Sequence, residues 1–271
     1  MNTEVIKLTV RTSGANSEFE PSLKCYIPHI CTSQKVSEGG RKAVIICPGG
    51  GYRFTSDREA EPIALRFAAE GICAFVLDYS ISPAVFPQAV CEAAEAVSIV
   101  RKNASEWNIN PDKIMVCGFS AGGHLAASLG VFFDSDTVLK NTGLTEEECK
   151  PNALILGYPV ITGGEFAHKG SFEMLSGLEF SEEMAQNYSL EKFVKENTPP
   201  AFIWHTYEDT TVPVENSILF FSALRKLNIN AELHVFPHKE HGLALANEVT
   251  GPVSDEADVW MQMAIRYIKN F

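Results

Sequence analysis

The sequence predicts an α/β fold, a mostly parallel sheet with helices on both faces. Three observations carry this. Short, continuously apolar runs recur along the chain, amphipathic stretches of helical length alternate with them, and one strand-to-helix junction reads Gly118-Phe119-Ser120-Ala121-Gly122. Parallel strands covered on both faces lose the apolar–polar alternation of half-exposed strands. Strands alternating with helices imply such a sheet.

The elements follow in order. Val5–Val10 and Leu23–Ile27 alternate in polarity and read as half-buried antiparallel strands at a sheet edge. The continuously apolar runs are Ala43–Cys47, Cys73–Leu77, Ile114–Cys117, Ala153–Leu156 and Ala201–Trp204, with Ala231–Val235 a sixth. Helices are expected over Arg58–Glu70, Gln88–Trp107, Ala121–Phe132, Glu215–Leu227 and Asp255–Ile268, with Pro87 and Pro111 at their flanks. The stretch Gly163–Pro200 breaks the rhythm. It is polar, mixed in sign, and carries one helix-like piece, Ser181–Asn187. It reads either as a surface excursion or as a small cap over a site. No internal repeat or low-complexity linker divides the chain, so one domain over residues 1–271 is expected.

Composition narrows the function classes. Of 271 residues, 45% are hydrophobic and 21% charged, as in ordinary globular proteins. A net charge of −12 with no basic cluster disfavours nucleic acid and anionic membranes as partners. The seven cysteines (Cys25, Cys31, Cys47, Cys73, Cys91, Cys117, Cys149) are odd in number and form no Cys-x-x-Cys. They read as free thiols in a reducing compartment. The start, Met1–Lys7, does not read as a signal peptide, and no segment approaches the ~18 apolar residues of a membrane span. A cytoplasmic protein is expected.

The chemistry concentrates in a few loops. At Gly118–Gly122 an apolar strand turns sharply into a helix of small residues, the context in which a serine is exposed as a nucleophile. Side chains at the two glycine positions would collide with the neighbouring strand and helix. A serine hydroxyl needs an adjacent base. His241, in Pro237-His238-Lys239-Glu240-His241-Gly242 after the last strand, is the candidate, with His238 its nearest rival. A metal held by these two histidines is disfavoured, because no third ligand lies nearby. A carboxylate must orient the base. Asp209, four residues before Pro213, is preferred to its neighbour Glu208. The order Ser120, Asp209, His241 follows. Cys47-Pro48-Gly49-Gly50-Gly51-Tyr52 lies after a core strand, and its glycine amides, with that of Ala121, are candidates for an oxyanion hole. A phosphate-binding loop would need a Gly-Lys-Ser/Thr ending or a Gly-x-Gly-x-x-Gly helix start, and neither occurs.

These motifs resemble the α/β-hydrolase carboxylesterases. They are Pro48–Tyr52, Gly118–Ala126, His205–Asp209 with Val212-Pro213, and His241-Gly242. The nearer likeness is to small acetyl esterases of the acetyl xylan esterase or xylanase-associated type. It runs from about Ala43 to the C-terminus. Ser56-Asp57-Arg58-Glu59, Ser82-Pro83-Ala84 and Phe86-Pro87 are also similar to the family's stretches, without a mechanistic message. The resemblance implies a Ser120–His241–Asp209 triad with no metal or organic cofactor. Cys47-Pro48-Gly49 replaces the His-Gly-Gly of hormone-sensitive-lipase relatives, which leaves open which glycine amides form the hole. Gly49 and Gly50 are favoured by position.

The expected activity is hydrolysis of short acyl esters, acetyl groups on xylo-oligosaccharides or related sugars among them. The substrate would be a small-molecule or oligosaccharide ester. An arylformamidase or small peptidase on the same machinery is the alternative, and a non-catalytic binding protein on the same scaffold a third reading.

Overall fold

The computed structural model describes residues 1–29 and 39–271. Its strands are β1 (Val5–Lys7), β2 (Ser22–Tyr26), β3 (Arg41–Cys47), β4 (Cys73–Asp78), β5 (Ile109–Phe119), β6 (Ala153–Gly157), β7 (Ala201–Thr206) and β8 (Ala231–Phe236). They form one eight-stranded sheet in the order β1-β2-β4-β3-β5-β6-β7-β8. β1 and β2 run antiparallel to their neighbours, and every pair from β4 to β8 is parallel. This is the mostly parallel sheet that the apolar strand pattern implied, in the α/β-hydrolase arrangement that the motif resemblance implied.

Alternate residues of each central strand feed two cores. Ala43, Ile45, Val116, Leu154 and Ile203 face one, packed by helices α2 (Gln88–Lys102), α3 (Ser120–Phe132) and α8 (Glu215–Lys226). Val44, Ile46, Cys117, Ile155 and Trp204 face the other, packed by α1 (Glu61–Ala69) and α9 (Trp260–Asn270). Burial on both faces explains why these strands carry no polar alternation. The six described cysteines are unpaired and buried; Cys31 lies outside the described residues. None of the described helices is long and apolar enough to cross a membrane.

Several boundaries depart from the sequence expectation for local reasons. The first strand stops at Lys7 because the amides beyond it find other acceptors. Leu8 donates to the Pro21 carbonyl, and Thr9 and Val10 donate to the Glu95 carboxylate on α2. The helix expected from Arg58 begins instead at Glu61. A 3-10 turn over Asp57–Glu59 precedes it, and Ala60 breaks the helical path at φ −103°, ψ −104°. α2 ends five residues early, at Lys102, where the Asn103 side chain bonds the Ile99 carbonyl. Pro111 falls inside β5, at the register shift opposite Arg41–Ala43, where a ladder donor is not required. Two short helices, α4 (Asp136–Thr142) and α5 (Glu146–Cys149), were not expected. Residues 163–200 contain α6 (Lys169–Ser176) and α7 (Glu182–Gln186), the second capped by Ser181. A small apolar cluster of Val160, Phe172, Ala185 and Val212 lies beneath them.

The aromatic stack under β7 ties α9 to the sheet. Trp260 stacks on Trp204 at 4.9 Å and meets Phe119 edge-on, and its indole N–H donates to the Ala244 carbonyl at 2.8 Å. Truncating a fully buried ring leaves a cavity as well as lost contact. Trp260→Ala is expected to lower unfolding free energy by about 3–5 kcal/mol, read as a fall in the urea midpoint at unchanged slope.

Candidate active site

Four chain segments leave the carboxyl ends of β3, β5, β7 and β8 and converge, as expected for ligand sites in parallel sheets. β5 ends at Phe119, still extended, and α3 begins directly at Ser120, which takes φ +52°, a left-handed conformation that costs a non-glycine residue energy. Crowded backbones enforce the turn. A Cβ on Gly118 would stand 2.1 Å from the Gly122 carbonyl oxygen, and one on Gly122 would stand 2.1 Å from that of Cys47. Only glycine fits at either position.

The structure joins the three expected side chains in one line. Ser120 Oγ lies 2.7 Å from His241 Nε2, and His241 Nδ1 lies 2.6 Å from Asp209 Oδ2. An ionised Asp209 only accepts, so Nδ1 carries the proton and Nε2 accepts from the serine hydroxyl. The rivals lie elsewhere. His238 and Glu208 pair with each other at 3.1 Å on the surface, both exposed.

Asp209 is buried among donors. Its Oδ1 accepts the Thr211 and Val212 amides at 3.0 and 2.9 Å. Its Oδ2 also lies 3.2 Å from His205 Nε2. Burial alone would raise the carboxyl pKa. The bonds from His205 and His241, the field of His241 and the Val212 amide outweigh it and hold Asp209 well below the usual range. His205 is itself fixed: Nε2 faces the Val212 carbonyl at 2.8 Å and Nδ1 faces the Ser217 hydroxyl at 2.7 Å.

The glycine loop corrects one expectation. Gly49 cannot offer its amide to a substrate, because that N–H donates to Glu59 Oε2 at 2.8 Å. Gly50 has φ +131°, and a Cβ there would lie 2.0 Å from the Phe54 carbonyl oxygen. Ala121 lies in the first turn of α3, where amides lack intrahelical partners. Tyr52, at the end of the loop, bonds His124 Nδ1 at 3.0 Å, and His124 Nε2 bonds the Tyr188 carbonyl at 3.0 Å. His124 thus bridges the glycine loop and the 163–200 segment.

A cleft of about 490 Å3 opens over Ser120 and His241. Arg53, Phe54, Thr55, Arg58 and Thr211 line it, and His168 and Gly170 bring the 163–200 segment into its wall. Among the described residues no cluster of His, Cys, Asp or Glu has the makings of a metal site.

The BD-FAE family model matches residues 30–224, a span that holds Ser120 and Asp209 and stops short of His241. The chain belongs to the BD-FAE family. Its fold is the α/β-hydrolase fold, shared with a solved carboxylesterase of Lactobacillus plantarum (TM-score 0.83, 27% identical, over 100% of this chain and 98% of that one). It is similar to endo-1,4-beta-xylanase B of Butyrivibrio fibrisolvens, 41% identical over 82% of this chain and 36% of the relative. It is also similar to an acetylxylan esterase of Xylanibacter ruminicola, 30% identical over 85% of this chain and 45% of the relative. The chain thus spans less than half the length of either. A solved acetyl ester-xyloside bifunctional hydrolase from Caldicellulosiruptor lactoaceticus superposes with a TM-score of 0.82. It is 38% identical, over 96% of this chain and 90% of that one.

Three residues of this site carried no assigned role in the sequence reading. His205 had a signal, a buried-type strand end four residues before Asp209. Glu59 sat in a run with no assigned chemistry, and Tyr158 gave no signal.

Buried His124 carries a pH signature. Burial drives its pKa down from 6.5 to about 4, partly opposed by the Tyr188 carbonyl. The unfolded chain takes up this proton below pH 6.5 and the folded one does not, so stability is complete above 6.5 and is lost as pH falls toward 4. The loss amounts to about 3 kcal/mol. Urea unfolding at pH 7 and pH 4 should show the wild type falling further than His124→Asn by that amount.

Proposed function

We propose that the protein is a serine carboxylesterase that removes short acyl groups, acetyl in particular, from hydroxylated substrates such as xylo-oligosaccharides. The carrying observation is the unbroken line from Ser120 Oγ through His241 to Asp209, at 2.7 and 2.6 Å.

In this reading Ser120 Oγ attacks the ester carbonyl while His241 Nε2 takes its proton. Asp209 holds the tautomer and stabilises the imidazolium. The amides of Gly50 and Ala121 receive the developing oxyanion; Gly49 is left out because Glu59 holds its N–H. Among the described residues no protein group accepts the Gly50 N–H. His241 returns the proton to the departing alcohol. Water, deprotonated by His241, then attacks the acyl-enzyme, and the acid leaves with Ser120 restored.

Two observations favour a sugar ester. The cleft wall sets hydroxyl-binding groups on Arg53, Thr55, Asp57, Arg58 and Thr211 among apolar surface that includes the exposed ring of Phe54. Polar groups of this kind discriminate hydroxylated ligands from lipid chains. The relatives named above include an acetylxylan esterase and an acetyl ester-xyloside hydrolase. The helices of residues 163–200 act in this reading as a small cap that shapes the alcohol side of the cleft.

The test is acetate release from acetylated xylo-oligosaccharides and from nitrophenyl acetate, wild type against Ser120→Ala. Turnover should fall roughly 10³-fold or more on both. A Ser120→Ala enzyme within tenfold of wild type removes the serine mechanism. Hydrolysis of nitrophenyl acetate with none of any acetylated sugar removes the sugar assignment alone, and faster cleavage of a formanilide than of either ester moves the enzyme to the amidases.

A further inference from the structure

Glu59, which ends the run Ser56-Asp57-Arg58-Glu59, touches no reacting group in the mechanism above, yet it places a buried carboxylate on the glycine loop beside the nucleophile. Glu59 closes the 3-10 turn before α1 and is only 2% exposed. A Cβ on Gly49 would stand 2.7 Å from Glu59 Oε2 and 3.0 Å from Ser120 Cβ, so the three groups are packed without slack.

Each Glu59 oxygen accepts one bond. Oε2 takes the Gly49 amide at 2.8 Å, and Oε1 takes the Tyr158 hydroxyl at 2.6 Å. The same phenolic oxygen accepts the Ala244 amide at 2.8 Å. Backbone amides only donate, so every proton in this chain has one direction: Ala244 N–H to Tyr158, Tyr158 O–H to Glu59, Gly49 N–H to Glu59. The bonds suit an ionised carboxylate; a glutamine could keep the Gly49 bond only by turning its NH2 toward the Tyr158 oxygen, which reverses that link. The two ends of this hydrogen-bond chain are telling. Gly49 adjoins Gly50, and Ala244 follows His241 by three residues, while the Tyr158 ring meets the His241 ring edge-on at 4.9 Å.

We propose that Glu59 is a positioning residue that ties the oxyanion loop to the histidine loop through Gly49 and Tyr158–Ala244. The inference rests on the esterase reading. Glu59 touches no reacting atom. It holds the Gly50 amide and His241 in one frame around Ser120, so that the donor to the oxyanion and the base keep their mutual distance as the cleft fills. Groups that must meet a transition state lose efficiency steeply when displaced by about 1 Å.

Glu59→Gln tests this, with active sites counted by complete fluorophosphonate labelling and turnover expressed per labelled site. The kcat on nitrophenyl acetate should fall about 10- to 100-fold, with KM within about threefold, because ground-state binding makes little use of the frame. Inhibition by phenylboronic acid, whose adduct places an oxygen in the hole, should weaken in step with kcat/KM. A residue needed only for folding would lower the number of sites and leave turnover per site and boronate affinity unchanged.

Tyr158→Phe is the second variant. It cuts the same chain at its other link, so the double variant should be no worse than the poorer single one, within about twofold. Losses that multiply overturn the proposal. So does Glu59→Gln with turnover per site within twofold of wild type, or Tyr158→Phe within twofold should Glu59→Gln not fold. Activity surviving in Ser120→Ala would bring down the esterase reading; an inactive Ser120→Ala beside an unimpaired Glu59→Gln would bring down the positioning role alone.

Discussion

The tightest constraint in this molecule is the contact of backbones around the turn from β5 into α3. Gly118 faces the Gly122 carbonyl, Gly122 faces the carbonyls of Cys47 and Pro48, and Gly123 packs on Pro159. Three successive strand ends are thereby drawn to the start of one helix. Ser120 has no alternative to its strained φ, and the amides of the first turn of α3 open toward the same space as its hydroxyl. Strain of this kind persists only where the surroundings over-determine it. Here the close-packed sheet supplies that determination, since β5 is flanked by β3 and β6 and fully buried over its last residues.

Two buried carboxylates lie beside this turn, and the protein treats them oppositely. Asp209 collects two backbone amides and two imidazoles, which overcome burial and hold it well below the usual carboxylate range. Glu59 is fully enclosed and has two donors; burial prevails and pushes its pKa up, with Tyr158, Gly49, His241 and Arg58 pulling the other way. The difference follows from the number of donors each can reach. One carboxylate is anchored as a permanent anion facing His241. The other forms a joint between two loops. Each is what a low-dielectric interior permits when every polar atom has a named partner.

Much of this was legible in the sequence, for definite reasons. Parallel strands buried on both faces must be apolar throughout, so β3 to β7 stood out. The glycine spacing at Gly118 and Gly122 reflects backbone contact, and loops after strands carried Asp209 and His241. What was not legible depended on partners remote in the chain. Glu59 reads as the first turn of an amphipathic helix until Ala60 breaks the path and turns its side chain inward toward Tyr158, 99 residues away. The other oxygen of the same carboxylate holds the Gly49 amide, and that bond removed Gly49 from the expected oxyanion amides. The early end of β1 likewise depends on Glu95, 86 residues from Thr9. α5 was legible in principle, because Thr145 and Glu148 form a reciprocal capping box, but it is too short to show apolar periodicity.

On the proposed esterase reading, the division between strand ends and loops assigns substrate choice to the cleft wall. Ser120 begins a helix locked to the sheet, Asp209 is held by the turn that follows β7, and His241 is clamped between Asp209 and Tyr158. None can move without breaking buried bonds. The cleft wall is built differently. Arg53, Phe54 and Thr211 stand on exposed or half-exposed loops, and His168 and Gly170 come from the 163–200 segment. That segment meets the machinery through few contacts, His124 to the Tyr188 carbonyl and the ring of Phe172 among them. Changes of size or polarity at Arg53, Phe54 or Thr211 are therefore expected to leave the Ser120 geometry intact. On the esterase reading proposed above, a scaffold so arranged can hold one acyl-transfer geometry constant while different alcohols are accommodated at its rim.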